Sequence, residues 1–233
     1  MNLIAYLINL IYPEHCLFCD VQLHPDNHGG ICDICAKGEA ALWYPTNKRL
    51  AIRNINRAYV CYKYEGGPRE AIHRFKFEGK IDYAESIAKI MAKTIENCGD
   101  YDIIIPIPIG KERAKERKYN QSLLIARLLA RYIGSELLYD VLIKIKETPK
   151  QSATPAKDRM KNIIGAFAVR SRDKIAGKRI LIVDDVCTTG ATLSEAAKIL
   201  SESGAGRIDT VTFAATEMKP WLRISNRTDE KAG

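Results

Sequence analysis

Apolar residues fall along this chain in two alternating patterns, short solid runs and stripes at helical spacing. The runs Tyr101–Ile107 (YDIIIPI) and Arg179–Asp184 (RILIVD) are apolar on successive residues and predict strands buried on both faces. Less solid runs at Arg57–Tyr64, Leu137–Ile145, Ala166–Arg170 and Arg207–Ala215 predict further strands. Between them lie stripes: Ala84, Ile87, Ala88, Met91 and Ile95 within Asp82–Glu96, and Leu124, Leu128 and Leu129 within Asn120–Tyr132. A third stripe, Leu193, Ala196, Ala197 and Leu200, runs from about Thr192 to Ser203 and is stopped by Gly204 and Gly206. Strands alternating with amphipathic helices predict an α/β fold, a mostly parallel sheet flanked by helices. Apolar positions at helical spacing (Leu3, Leu7, Leu10; Ile4, Ile8, Ile11) add a packing helix over about Asn2–Ile11. Pro45-Thr46-Asn47-Lys48 reads as a linker and the polar stretch after Pro220 as a frayed tail, which gives three segments: 1–45, 46–217 and 218–233.

The 233 residues suit one medium domain with a small appendage. A net charge of +8 favours polyanionic partners, whether a sugar diphosphate, a nucleotide or nucleic acid, without choosing among them. The apolar N-terminal run is too short to span a bilayer and lacks a basic flank and a cleavage site. No other stretch approaches a membrane span, and a cytoplasmic protein is expected. Seven cysteines, an odd count, fit a reducing compartment better than a disulfide framework.

Four of the seven form two C-x-x-C pairs, Cys16/Cys19 and Cys32/Cys35, separated by twelve residues. That spacing can supply four thiolates to one tetrahedral structural Zn²⁺, and such a metal orders a segment too small for its own core. His15, His24 and His28 compete as ligands, but the four cysteines already fill the shell. A redox role for one pair is the alternative. The loop between the pairs is not basic, so the module is not read as a DNA reader.

The segment with the clearest chemistry is Arg179-Ile-Leu-Ile-Val-Asp-Asp-Val-Cys-Thr-Thr-Gly-Ala-Thr192. A buried strand ends in Asp184 and Asp185, and a Thr- and Gly-rich turn then opens a helix. Unpaired N–H groups at a helix start favour a phosphate, Gly190 lets the backbone approach it, and Thr188, Thr189 and Thr192 add hydroxyl donors. The two carboxylates cannot hold a phosphate themselves. They can accept hydrogen bonds from sugar hydroxyls or help hold Mg²⁺. Phosphate on one side and a diol on the other describe a ribose 5-phosphate. The segment resembles the signature of type I phosphoribosyltransferases at every position. That resemblance implies that 5-phosphoribosyl-1-pyrophosphate (PRPP) binds, with Mg²⁺, at Asp184, Asp185, Val186, Cys187, Thr188, Thr189, Gly190, Ala191 and Thr192, with Asp184 and Asp185 as the catalytic pair. Cys187 occupies the variable position and is read as a neutral filler.

Pro108 ends the preceding strand, and Lys111-Glu-Arg113-Ala-Lys115-Glu-Arg117-Lys118 follows, then Tyr119, Asn120 and Gln121. Arg117 can bind a pyrophosphate bidentately, while Lys111–Lys115 fits a solvated helical face equally well, so the run leaves open which cation points inward. The stretch Lys146–Arg159, with Lys150, Gln151 and Arg159, suits either a mobile lid over the pyrophosphate or a solvated connector. His73, Arg74 and Lys76 fit an acceptor pocket or a surface helix, and Trp43 and Tyr44 fit packing between the two modules.

Taken with Tyr64-Glu65-Gly66, Ile72–Gly79, Lys150-Gln151-Ser152, Arg159-x-Lys161-Asn162 and Gly165-Ala166-Phe167, these motifs make the chain similar to the ComF/ComFC family of competence-associated phosphoribosyltransferase-like proteins. The resemblance runs from about Leu10 to Thr216. It implies a cytoplasmic bacterial protein linked to uptake of transforming single-stranded DNA, working beside a helicase-like partner. Two functions follow. One is phosphoribosyl transfer from PRPP to an unidentified nitrogen acceptor. The alternative is a non-catalytic adaptor that binds a nucleotide or single-stranded DNA.

Overall fold

The computed structural model describes residues 13–24, 26–27, 29–43, 51–147 and 162–216. The expected helix over Asn2–Ile11, the linker at Pro45–Lys48, the stretch holding Lys150, Gln151 and Arg159, and the tail after Pro220 lie outside these residues.

Five strands form one parallel sheet in the order β1–β7–β6–β2–β3: β1 (Arg57–Lys63), β2 (Ile103–Pro106), β3 (Glu136–Leu137), β6 (Arg179–Cys187) and β7 (Arg207–Ala215). β6 lies at the centre, bonded to β2 and β7. Its solid apolar run is explained by covering on both faces. Leu181 and Val183 join Ile104, Val211 and Phe213 in one core cluster, while Ile180 and Ile182 join Ile103, Ile105 and Ile208 in the other. Helices α3 (Tyr83–Ile95) and α5 (Gln121–Ile133) cover the first face through Ile87, Met91, Ile125 and Leu129. Helix α6 (Ala191–Glu202) covers the second through Leu193, Ala196, Ala197 and Leu200. Pro106 is tolerated inside β2 because Ile107 N is the atom that donates to Val183 O, at 2.9 Å. The missing Pro106 donor therefore faces the other side, where β3 has already ended.

The run Leu137–Ile145 is not one strand. Glu136–Leu137 joins the parallel sheet beside β2, and after the polar break at Tyr139-Asp140 the chain leaves it. Strand β4 (Leu142–Lys144) then pairs antiparallel with β5 (Phe167–Val169) in a separate hairpin. Three helices lie outside the apolar stripes singled out along the chain: α1 (Asp33–Leu42), which opens at the second cysteine pair, α2 (Gly66–Phe77), and α4 (Lys111–Arg117), the helical alternative for the basic run. Gly66, Gly67 and Pro68 read as a break but form the first turn of α2, where proline lacks no needed donor.

The cysteine module is part of the main core. Cys16, Leu17, Phe18, Leu23 and Ile31 belong to the same cluster as β1, β7, α2 and α3. Phe18 meets Tyr62 edge-on at 5.4 Å, and Trp43 packs on the same Tyr62 ring at 4.7 Å. A Cβ on Gly67 would lie 2.6 Å from both Cβ and Cγ of Phe18, so only glycine fits this approach. Gly67→Ala is expected to destabilise the protein by about 1–3 kcal/mol, read as a lower urea midpoint. An unchanged midpoint would show that the module does not bear on α2.

Candidate functional site

The C-terminal ends of β2 and β6 open into a cavity of about 580 Å³, walled by α2, α4, α5, α6 and the β4–β5 hairpin. Ligand crevices of open parallel sheets form at this end of the strands. β6 does not stop at the acid pair. It runs on to Cys187, because β7 still pairs with it through Ala214 and Ala215. The turn proper is thus Thr188-Thr189-Gly190, tied down by Thr216, whose N–H donates to Cys187 O (3.0 Å) and whose hydroxyl donates to Thr188 O (2.8 Å). Gly190 has φ 72°, a left-handed conformation that suits glycine, and α6 begins one residue later. The first N–H groups of α6 therefore lie at the cavity wall. Val186 through Thr192 all line it, Cys187 included. Burial pushes the Cys187 thiol up to about 12, which keeps it protonated and inert.

Asp184 Oδ1 accepts from Ser122 Oγ at 2.8 Å and from the Asp185 N–H at 2.9 Å. Asp185 Oδ1 accepts from Lys76 Nζ at 2.7 Å. Burial, and then the charge of Asp185, push the Asp184 carboxyl up to about 7. A raised carboxyl pKa means that the folded chain holds a proton which the unfolded chain releases near pH 4. This residue therefore costs stability as pH rises from about 4 to about 7.

Cations line the same cavity. Arg113 and Arg117, one turn apart on α4, both line the cavity, whereas Lys111 and Lys115 are exposed. This answers which basic residues of that run turn inward. Arg117 Nη1 donates to Gln121 Oε1 at 3.2 Å, its guanidinium lies 5.3 Å from the centre of the Phe77 ring, and its buried Nε has no hydrogen-bond partner among the described residues. Lys144 joins from β4. Burial, then Arg117, lowers the Arg113 pKa, and burial, then Arg113, lowers that of Lys144. Such clustering suits a multiply charged anion.

Of the remaining expected residues, Pro108 and Gln121 line the cavity and Tyr119 and Asn120 do not. Asn120 caps α5 by accepting from Leu123 N and donates to Ile107 O at 3.1 Å. Tyr119 donates its hydroxyl to Phe75 O. Lys150, Gln151 and Arg159 lie outside the described residues. Sequence reasoning gave no site role to Ser122, Lys144 or Tyr64, which also line the cavity; Tyr64 entered only within a family motif, and Lys76 was left between pocket and surface. The available signal for Lys76 was its place four residues after Ile72, on the buried stripe of α2. Nothing in the sequence marks Ser122.

None of the four paired cysteines lines the cavity; the Sγ atoms of Cys16, Cys19, Cys32 and Cys35 all lie within 4.8 Å of one another. Cys19 and Cys32 are 3.7 Å apart, against about 3.8 Å for the edge of a tetrahedron with Zn–S bonds of about 2.3 Å. Cys16 N–H donates to Val21 O and Leu17 N–H to Gly30 O, which closes the two pairs around one point. Among the described residues no histidine joins this cluster. The donor set fits a structural zinc.

Among the described residues no helix is long and apolar enough to cross a membrane. The phosphoribosyl transferase domain family matches residues 118–229. Competence protein F of Haemophilus influenzae is 33% identical over 144 residues, covering 59% of this chain and 63% of that protein, so the match spans less than two thirds of its length. Competence protein ComFC of Bacillus subtilis is 28% identical over 186 residues, covering 76% of this chain and 73% of that protein. Among solved structures, the glutamine PRPP amidotransferase from B. subtilis complexed with ADP and GMP aligns with a TM-score of 0.42 at 19% identity, over 60% of this chain and 30% of that chain.

Two outcomes follow from the site geometry. Asp184→Asn removes a buried charge and is expected to raise Tm at pH 8 but not at pH 4; equal effects at both would contradict the raised carboxyl pKa. Metal analysis of the purified chain is expected to find about one zinc per molecule, with Cys19→Ser lowering both zinc content and Tm. Full zinc occupancy in that variant would exclude Cys19 as a ligand.

Proposed function

Because this chain belongs to the ComF family and has a type I phosphoribosyltransferase fold, we propose that it binds PRPP and transfers the phosphoribosyl group to a nitrogen acceptor. The observation that carries the reading is the polarity of the cavity. Amides and hydroxyls of Thr188–Thr192, the Asp184–Asp185 pair, and the cations Arg113, Arg117 and Lys144 line one cavity. A ribose 5-phosphate bearing a diphosphate at C1 has the matching set of groups: phosphate, diol, diphosphate. The 5-phosphate takes the start of α6, the ribose hydroxyls donate to the carboxylates, and the diphosphate lies toward the cations. Arg117 Nε is an orphaned donor on that side. The expected lid residues Lys150, Gln151 and Arg159 belong to the same proposal, with Tyr119 and Asn120 fixing the turn below it.

As the nitrogen lone pair attacks C1, the C1–O bond breaks and its electron pair leaves with the diphosphate. The nitrogen sheds a proton to water. The chain contributes orientation of C1 and fixed charge around the departing group. Mg²⁺ is proposed to arrive with the diphosphate and to neutralise part of its charge. The acid pair is a poor ligand set for it, because Lys76 and Ser122 already engage Oδ1 of both carboxylates.

The relatives named for competence support an association with DNA uptake; a cytoplasmic location, single-stranded DNA and a helicase-like partner are proposed along with it. The proposed layout is a cysteine module over 1–45, the transferase-like domain over 46–217 and a tail over 218–233.

Calorimetry with PRPP and Mg²⁺ tests the reading. Asp184→Asn and Asp185→Asn are each expected to weaken binding on the order of ten- to a hundredfold, the loss of a charge-assisted hydrogen bond. Wild-type affinity is expected to rise with pH through about 7, as Asp184 ionises and becomes an acceptor, and this rise is expected to vanish in Asp184→Asn. No heat with PRPP, together with salt-sensitive oligonucleotide binding that survives both substitutions, would favour the adaptor function instead.

A further inference from the structure

One helix connects the cysteine module to the acid pair. α2 starts with Gly67 against Phe18, and Arg74 Nη1 on the same helix donates to Phe18 O at 3.1 Å. Just beyond α2, Lys80 and Tyr83 both donate to Asp20 Oδ1, at 2.8 and 2.7 Å. Phe18 and Asp20 flank Cys19, so the first cysteine pair grips both ends of α2. The last turn of that helix delivers Lys76 to Asp185, in a contact where the two side chains keep only 16% and 8% of their exposure.

We propose that Lys76 is a positioning residue. It is a built-in counter-cation that holds the acid pair closer to full ionisation than burial alone would leave it, ready to accept ribose hydroxyls, and the cysteine module sets it in place through α2. This rests on the sugar-phosphate reading of the cavity and deepens it. Two adjacent carboxylates in a desolvated site repel, and one of them takes up a proton unless a cation meets their charge. A protonated carboxyl donates where the ribose also donates, so the diol loses an acceptor.

Several groups face Asp184: Asp185 and Cys187 on its own strand, Ser122 on α5, Lys76 on α2, and, at longer range, Arg113 on α4 and Lys144 on β4. Tyr64 lies near Asp185. Lys76 meets Asp185 directly, at 2.7 Å. Arg113 and Lys144 line the same cavity and act on Asp184 through their charge, and a bound diphosphate would draw on it. Lys76 is already engaged by Asp185, which commits its charge to the acid pair before any ligand binds.

The test uses the ligand-free protein first. ¹³C NMR follows the Asp184 carboxyl against pH in wild type, Lys76→Gln, Lys76→Arg and Arg74→Gln, and calorimetry then measures ribose 5-phosphate binding at pH 6.5 and 8.5. Lys76→Gln is expected to move the Asp184 midpoint upward by about one pH unit. It should also weaken ribose 5-phosphate binding on the order of tenfold at pH 6.5 and less at pH 8.5. Lys76→Arg is expected to restore both, and Arg74→Gln, which loosens α2 from Phe18, to shift the midpoint in the same direction by less. An unmoved midpoint in Lys76→Gln, or Lys76→Arg as impaired as Lys76→Gln, overturns the counter-cation role; an unmoved midpoint in Arg74→Gln overturns its dependence on the module. If the midpoint moves as expected and no protein binds ribose 5-phosphate, the sugar-phosphate reading falls while the hold of Lys76 on the acid pair stands.

Discussion

Asp184 and Asp185 are adjacent on the central strand of a parallel sheet, and the surrounding structure answers the charge they place there. Strand polarity puts them at the sheet's C-terminal end, where α6 starts and the positive end of its macrodipole lies. Each carboxylate meets its own partner, Ser122 for Asp184 and Lys76 for Asp185, from two helices that pack on the same face of the sheet. The neutralisation is incomplete, and the Asp184 carboxyl sits near neutrality as a result. A functional site stores strain in this way, at some expense to the stability of the fold around it.

The cysteine module takes part in the same arrangement. Four cysteines clustered as a zinc donor set would fix a segment whose apolar residues, Leu17, Phe18, Leu23 and Ile31, are too few for a core of their own. They are buried against Tyr62, α2 and α3, and α2 in turn carries Lys76 and Phe77 to the cavity. The cysteine module meets α2 at Gly67 and Arg74 through Phe18, and the last turn of the same helix lines the cavity.

Much of this was legible along the chain. Solid apolar runs marked the strands covered on both faces, because burial on two sides removes alternation, and Ile103–Pro106 and Arg179–Cys187 lie where those runs fall. Helical stripes marked α3, α5 and α6 for the same reason. The run Leu137–Ile145 misled because periodicity reports burial and not partner: its two ends are buried in different sheets. Helix α2 was masked by Gly66-Gly67-Pro68, which signal a break although their small size is required by Phe18. In the cavity, residues local to one segment were readable, as with Thr188 to Thr192. Ser122 and Lys144 were not, since each reaches the site only through the folding of a separate element. Of the basic run, spacing alone could not say that Arg113 and Arg117 turn inward while Lys111 and Lys115 face solvent.

The central claim is that main-chain amides around Gly190 hold the phosphate of a sugar whose hydroxyls meet the acid pair. A ¹⁵N–¹H NMR titration of the ¹⁵N-labelled chain with ribose 5-phosphate addresses it directly. The account predicts saturable downfield shifts of the amides from Thr188 to Thr192, with the amides of Tyr101 and Ile133, at the far end of the sheet, unmoved. Saturating shifts confined to other segments, or none at millimolar ligand, would contradict it.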